Sequence, residues 1–333
     1  MNGTVVITGA NGSLALGFVE SFLFEYPQHT LIATVRNQSP EKDPNTAKLL
    51  RLVDKYPKAN FHLEALDLGR LATVRSFAEK LSARVASKEL PRITAIVCNA
   101  CAWSLESGQK FTLDNYEATF QVCHLSHYLL VLKLLGSMDT TSGRIVMLGS
   151  ITHYADKPNP LSSLGPCFPD KFEELVKPTL DPTNLVHDRG FQRYATAKLA
   201  NVTFANDLNE RLQKDPNLSH ITVTAMDPGG LPSSRAQAGQ KKSTRALMGT
   251  INFLMPVLKH CTTVFRTTED AGRDLAAVSA DPAFRGKRGY YVGQNIGSAA
   301  PVSQDPDMQK KLWECCWGWA GLTPAETVLQ NTL

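Results

Sequence analysis

Apolar positions recur along this chain with two alternating periods. Residues 4–8 form a short β-type run that leads into a glycine-rich turn and helical spacing over 13–25. Residues 30–35 read as a second strand, 46–56 as a helix, and 60–66 alternate as a strand. Helical spacing returns over 71–86, and the continuous apolar run 93–97 predicts a buried strand. A long helix over 114–135, a strand at 144–148, a helix at 191–212 and a strand at 221–226 complete the series. Strands alternating with helices of this length predict an α/β fold. The expected form is a single Rossmann-type, doubly wound parallel sheet with helices on both faces, spanning 1–333.

Two stretches break the alternation, each after a strand, at the sheet edge where α/β proteins bind ligands. Residues 152–190, rich in Pro, Asn and Ser, are expected to form a flap. Residues 229–265 are expected to form a lid over the substrate. Within that lid, 244–260 carries Leu247, Met248, Ile251, Phe253, Leu254, Met255, Val257 and Leu258, and reads as a helix packed on the domain, with a membrane anchor as the alternative. Trp313, Trp317 and Trp319 suit either the far end of an apolar pocket or plain core packing.

Composition narrows the class without naming a chemistry. Hydrophobic residues make up 43% and charged residues 20% of the 333, enough for a sizeable core. The net charge of +4 is not gathered into a run, so no nucleic-acid partner is expected. No apolar run is read as a membrane span, and the N-terminus lacks the features of a secretory leader, which points to the cytoplasm. Seven scattered cysteines fit a reducing compartment. Cys98 and Cys101 have the spacing of a redox or metal pair but no second pair beside them, so no metal site is expected. The adjacent Cys315 and Cys316 are most simply packing. A homo-oligomer is left open.

The first turn, Thr8-Gly9-Ala10-Asn11-Gly12-Ser13-Leu14-Ala15, stands between a strand and a helix. Its glycines permit a tight turn, so that a pyrophosphate can approach backbone N–H groups at Gly9, Asn11, Gly12, Ser13 and Leu14. The second strand ends in Arg36, with Glu41 and Asp43 following only after Pro40. A guanidinium there suits the 2′-phosphate of NADP(H), whereas an acid would suit the ribose of NAD(H). A solvent-facing Arg36 is the plainer alternative. Asp67-Leu68 and Asn99-Ala100 close the next two strands and extend the same rim, although turn chemistry alone would place such residues there too. Ser150 ends the fifth strand. Tyr194 and Lys198 lie four apart on the next helix and so share a face, and an adjacent ammonium favours the phenolate of a tyrosine.

In this order, Thr8-Gly9 with Gly12, Asp67, Asn99-Ala100, Ser150, Tyr194, Lys198 and Pro228-Gly229, the sequence resembles the short-chain dehydrogenase/reductase family. The segments 124–127 (HLSH) and 198–201 (KLAN) are similar to its retinol-dehydrogenase-like and protochlorophyllide-reductase-like branch. With 191–194 (FQRY) and 227–230 (DPGG), the pattern also resembles short-chain reductases of fungal secondary metabolism. The resemblance implies hydride transfer between a nicotinamide and a carbonyl or alcohol carbon. It implies Tyr194 as proton donor or acceptor, Ser150 holding the substrate oxygen and Lys198 on the nicotinamide ribose. Asn99 would steady the cofactor side of the cleft, and Pro228-Gly229 would border the carboxamide.

The chain departs from the family pattern at Ser13 and Ala15, where glycines are usual, and at Cys101, which follows Asn-Ala in place of glycine. Cys123 stands where an Asn that supports a proton relay is expected. A thiol cannot reproduce an amide, so Cys123 reads either as a gap filler or as the mark of a rerouted relay. The expected activity is an NADPH-dependent reductase, or the reverse dehydrogenase, on a largely apolar small molecule. A non-redox isomerase or cyclase on the same fold, and a cofactor-binding regulatory protein, are the alternatives.

Overall fold

A computed structural model describes residues 3–157, 159, 161–258 and 264–330. Positions 158 and 160 of the expected flap and 259–263 of the expected lid lie outside the described residues. Seven strands run parallel: β1 (Thr4–Ile7), β2 (Thr30–Val35), β3 (Asn60–Ala65), β4 (Ile93–Cys98), β5 (Arg144–Leu148), β6 (Thr222–Asp227) and β7 (Gly289–Val292). An antiparallel edge, β8 (Asn295–Ile296), completes the order β3-β2-β1-β4-β5-β6-β7-β8. The chain order reverses between β1 and β4, which opens a crevice at their carboxyl ends.

Both faces of the sheet are covered, so the central strands read as unbroken apolar runs rather than as alternation. Val5 and Ile7 of β1 pack to one side, with Phe18, Phe22 and Leu275; Val6 packs to the other, with Leu129, Leu132 and Leu208. The first side carries α1 (Ser13–Glu25) and α2 (Pro44–Val53). The second carries α3 (Leu71–Ala86), α4 (Ala118–Ser137) and α5 (Val186–Lys214). Beyond these come α6 (Lys242–Leu258), α7 (Thr268–Ala280), packed on α1, and α8 (Pro306–Ala320), packed on α5.

The structure corrects several expectations. Helix α4 starts at Ala118, not at 114, because Asn115 takes a left-handed turn (φ 60°) and Glu117 caps the helix by accepting from the Phe120 N–H. The same helix is long and apolar enough to cross a membrane, contrary to the reading that no run is, yet 83% of its apolar window is buried in the protein. Trp313 and Trp317 lie in the core with Tyr128 and Phe204, so the packing alternative holds for them. Helix α6 does not pack on the domain as expected. Only Met248 and Met255 are buried. Ala15, which stands where the family usually has glycine, is fully buried. The tight crossing falls two residues later, where Gly17 of α1 meets Gly272 of α7.

Candidate active site

A cavity of about 540 Å³ opens at the carboxyl ends of β1, β4, β5 and β6. One wall is the glycine turn: Gly9, Asn11, Gly12, Ser13 and Leu14 line it, with Asn99 and Ala100 behind. Gly9 holds φ +65°, and a Cβ there would stand 3.0 Å from the backbone of Ala100. No side chain caps the N-terminus of α1 and no acid stands in its first turn, so the field there favours an anion. The site therefore fits a pyrophosphate through main-chain groups.

The turn is fastened by Thr8. Its hydroxyl accepts from the N–H groups of Asn99 and Ala100, both at 3.0 Å, and donates to His127 Nε2 at 2.8 Å. The other ring nitrogen, Nδ1, donates to the Cys123 carbonyl (3.1 Å), which sets this tautomer. Burial lowers the His127 pKa to about 3, so the ring stays neutral. Asn99 Nδ2 donates to the Thr8 carbonyl at 2.8 Å, which ties β4 to the turn. Thr8→Val is expected to strand the half-buried Ala100 amide and a buried imidazole nitrogen, since the Asn99 amide keeps the Val97 carbonyl, and to cost about 2 kcal/mol by urea unfolding. A loss below about 0.5 kcal/mol would contradict this role.

The opposite wall carries the chemistry. Lys198 is buried and donates to the Leu148 carbonyl at 2.9 Å, with its Nζ 5.6 Å from the Tyr194 ring centre. Tyr194 hydrogen-bonds Ser150. Burial pushes its phenol well above the ordinary value, and the neighbouring acidic groups Cys101, Cys123 and Asp227 add to that against the Ser150 bond. Ser150 is held in turn by His153, which no sequence pattern marked. The Ala300 N–H donates to its Nε2 at 3.0 Å, so Nδ1 donates to the Ser150 carbonyl at 2.7 Å. Pro228 and Gly229 complete this wall, with the Gly229 N–H donating to Asp227 at 2.8 Å.

Other expected residues fall elsewhere. Asp67 accepts from the Gly69 N–H at 2.9 Å, and Leu68 is buried with its carbonyl accepting from Ser126; neither lines the cavity. Arg36 stands exposed at the end of β2, also outside the lining. The strand end holds no acid, as expected, but Asp43 reaches the glycine turn. Asp43 Oδ2 accepts from Asn11 Nδ2 at 3.0 Å, and its Oδ1 accepts from the Asn45 N–H at 2.9 Å. Burial raises that carboxyl, but the Asn45 hydrogen bonds outweigh it, and Arg235 pulls in the same direction. Arg235, missed from the sequence, lines the cavity, and its N–H donates to Ser13 Oγ at 3.0 Å.

The cysteines departing from the family pattern meet here. Cys123 lies in a π-helical turn of α4 (Gln121–Leu125) and is fully buried. Its sulfur donates to the Ala102 carbonyl at 3.2 Å and accepts from the Ala102 N–H at 3.3 Å. It also hydrogen-bonds Cys101, whose thiol this contact lowers to about 6 against burial, with Lys198 assisting. Cys123 thus fills the core and at the same time bridges α4 and the end of β4. Behind Lys198, Asn201 donates to the Leu148 carbonyl (3.1 Å) and accepts from His124 Nδ1 (2.9 Å), whose Nε2 meets the buried Cys316 at 3.4 Å. That chain ends in the core.

The flap contributes Thr152 and Leu161 to the lining, and the lid contributes Gly230, Leu231, Ser234, Arg235, Ala236 and Gln237. The two rims are joined by Trp103, which lies 4.7 Å from Tyr194 between ring centres and donates from its indole to the Ala236 carbonyl at 3.0 Å.

Comparison with known proteins gives the class. A short-chain dehydrogenase of Talaromyces variabilis, iccH, is 31% identical over 98% of both chains. Protochlorophyllide reductase B of Oryza sativa is 27% identical over 96% of this chain and 78% of its own. The WW domain-containing oxidoreductase of Danio rerio is 28% identical over 93% of this chain and 66% of its own. The AcuH dehydrogenase domain model matches residues 245–329. Among solved structures, angucycline C-6 ketoreductase LanV with bound NADP superposes at a TM-score of 0.59, with 15% identity, over 88% of this chain and 95% of that one. The chain belongs to the short-chain dehydrogenase/reductase family and is an oxidoreductase of that type.

Proposed function

We propose that the chain is an NADP(H)-dependent reductase acting, in the cytoplasm, on a carbonyl of a largely apolar small molecule in fungal secondary metabolism. The observation that carries the chemistry is the convergence of Ser150, Tyr194 and Lys198 on one cavity with the uncapped glycine turn. Likeness to the fungal relative supports the setting, and two similar folds solved with NADP or NADPH bound support the cofactor.

The bound dinucleotide would supply the hydride; the chain's residues supply the rest. The amides of Ser13 and Leu14 would hold the pyrophosphate, the Gly12 amide being bonded to the Gly9 carbonyl (2.9 Å), and Lys198 would hold a ribose hydroxyl. Ser150 would orient the substrate oxygen by donating to it, while Tyr194 gives that oxygen its proton. A phenol raised by burial is fully protonated at neutral pH, which suits a donor and hence the reductive direction. Trp103, Phe191, Leu161 and Leu231 make the substrate end apolar. Cys101 lines the same cavity in a family position usually held by glycine.

Preference for the 2′-phosphate would rest on Arg36, with Arg235 offsetting the nearby Asp43. Arg36→Asp is expected to weaken NADPH binding by about 2 kcal/mol or more in calorimetric titration. Equal affinity of the unmodified protein for NADPH and NADH would refute the preference. Substrate-dependent loss of NADPH absorbance tests the activity itself, and product formed without that loss would select a non-redox reaction.

A further inference from the structure

We propose that α6 is a membrane-docking helix that seats the protein on an anionic lipid surface. The helix turns one narrow face to the domain, through Met248 and Met255, seven residues apart. Around the remainder Leu247, Phe253, Leu254 and Val257 are 55%, 82%, 44% and 65% exposed, a concentration of apolar surface that a freely soluble face does not carry. Leu247, Leu254 and Val257 follow helical spacing, so they form one stripe, with Phe253 at its border.

Charge says what covers the stripe. From Pro228 to Thr268 the sequence has no Asp or Glu, but it has Arg235, Lys241, Lys242, Arg245, Lys259 and Arg266. Arg266 is spent on an ion pair with Asp274. Lys242 and Arg245 stand in the first turn of α6, where the helix field disfavours cations and where no acid is present. Their placement opposes the helix's own electrostatics, and an external anionic surface reverses that cost. A second copy of the chain would bring like charges together. The helix has 17 residues and Pro256 within it, short of the roughly 20 needed to span a bilayer, so it lies in the interface.

The turn Arg235–Gly239, which lines the cavity, runs almost directly into α6. A docked α6 therefore sets the cavity rim at the lipid surface, where an apolar substrate is concentrated. That consequence rests on the functional reading above; lipid binding itself does not.

Sedimentation with vesicles tests the proposal. Unmodified protein is expected to bind vesicles of phosphatidylcholine with about one-third phosphatidylserine at least about tenfold more tightly than phosphatidylcholine alone. Phe253→Asp with Val257→Asp is expected to lower binding at least about tenfold, and Lys242→Gln with Arg245→Gln to erase the preference for the anionic lipid. Unchanged thermal melting by circular dichroism shows that both variants fold; these side chains touch little of the domain. Protein left in the supernatant with both vesicles, or variants that sediment like the unmodified protein, would overturn the proposal. So would a dimer in analytical ultracentrifugation that the apolar-face variant splits while vesicles are ignored, since the occupant would then be a second copy. Loss of vesicle binding with reductase activity intact separates this proposal from the catalytic one.

Discussion

Tyr194→Phe is expected to lower kcat by about 10³-fold while leaving NADPH affinity within about twofold. The change removes one oxygen. It takes away the proton donor, whereas the turn amides and Lys198 that would hold the cofactor are untouched. The ring's edge contact with Trp103 survives in phenylalanine, so the cavity keeps its shape. Lys198→Ala should behave differently and damage binding and rate together, because its Nζ both faces the cleft and is anchored on Leu148. A Tyr194→Phe protein that retains most of its rate would remove Tyr194 from the mechanism.

Gly272→Ala is expected to destabilise the fold by about 3 kcal/mol, a large effect for one methyl group. A Cβ at Gly272 would lie 2.4 Å from the backbone carbon of Gly17, and one at Gly17 would lie 2.5 Å from the Thr268 carbonyl oxygen. Backbone cannot rotate away as a side chain can, so α1 must move off α7. Its N-terminus is the end that meets the cavity, and NADPH binding should weaken in the same variant. Urea unfolding and calorimetry check both; an unchanged unfolding midpoint would show that the crossing is looser than this geometry.

The two predictions draw on different kinds of legibility. Tyr194, Lys198, Ser150 and the glycine turn were readable because their roles need fixed residue types at fixed places on strand ends and one helix face. Five of the six strands up to 227 were readable because burial on both faces makes them apolar runs, and the exposed edge strand β3 was readable by its alternation. Beyond that point the signal fades for physical reasons. β7 has four residues, and the buried face of α7 is mostly small, with Ala271, Gly272, Ala276 and Ala277 beside only two larger apolar residues, Leu275 and Val278. Gly17 and Gly272 are 255 positions apart, and only folding makes them neighbours. His153 and Thr8 act through hydrogen bonds to backbone groups, which leave no trace in spacing. Asp43 reaches the glycine turn through Asn11, although seven residues of chain separate it from Arg36. The apolar run of α6 looked like buried helix because sequence records hydrophobicity and not what lies opposite it.

The central claim is that one cavity holds a nicotinamide dinucleotide against Tyr194 and Lys198. A crystal structure of the protein soaked with NADP⁺ tests it most directly. The expected result is a dinucleotide with its pyrophosphate on the amides of Ser13 and Leu14 and its nicotinamide ribose within hydrogen-bond reach of Tyr194 Oη and Lys198 Nζ. A dinucleotide bound elsewhere, or no binding at about millimolar NADP⁺ in a folded protein, would contradict it.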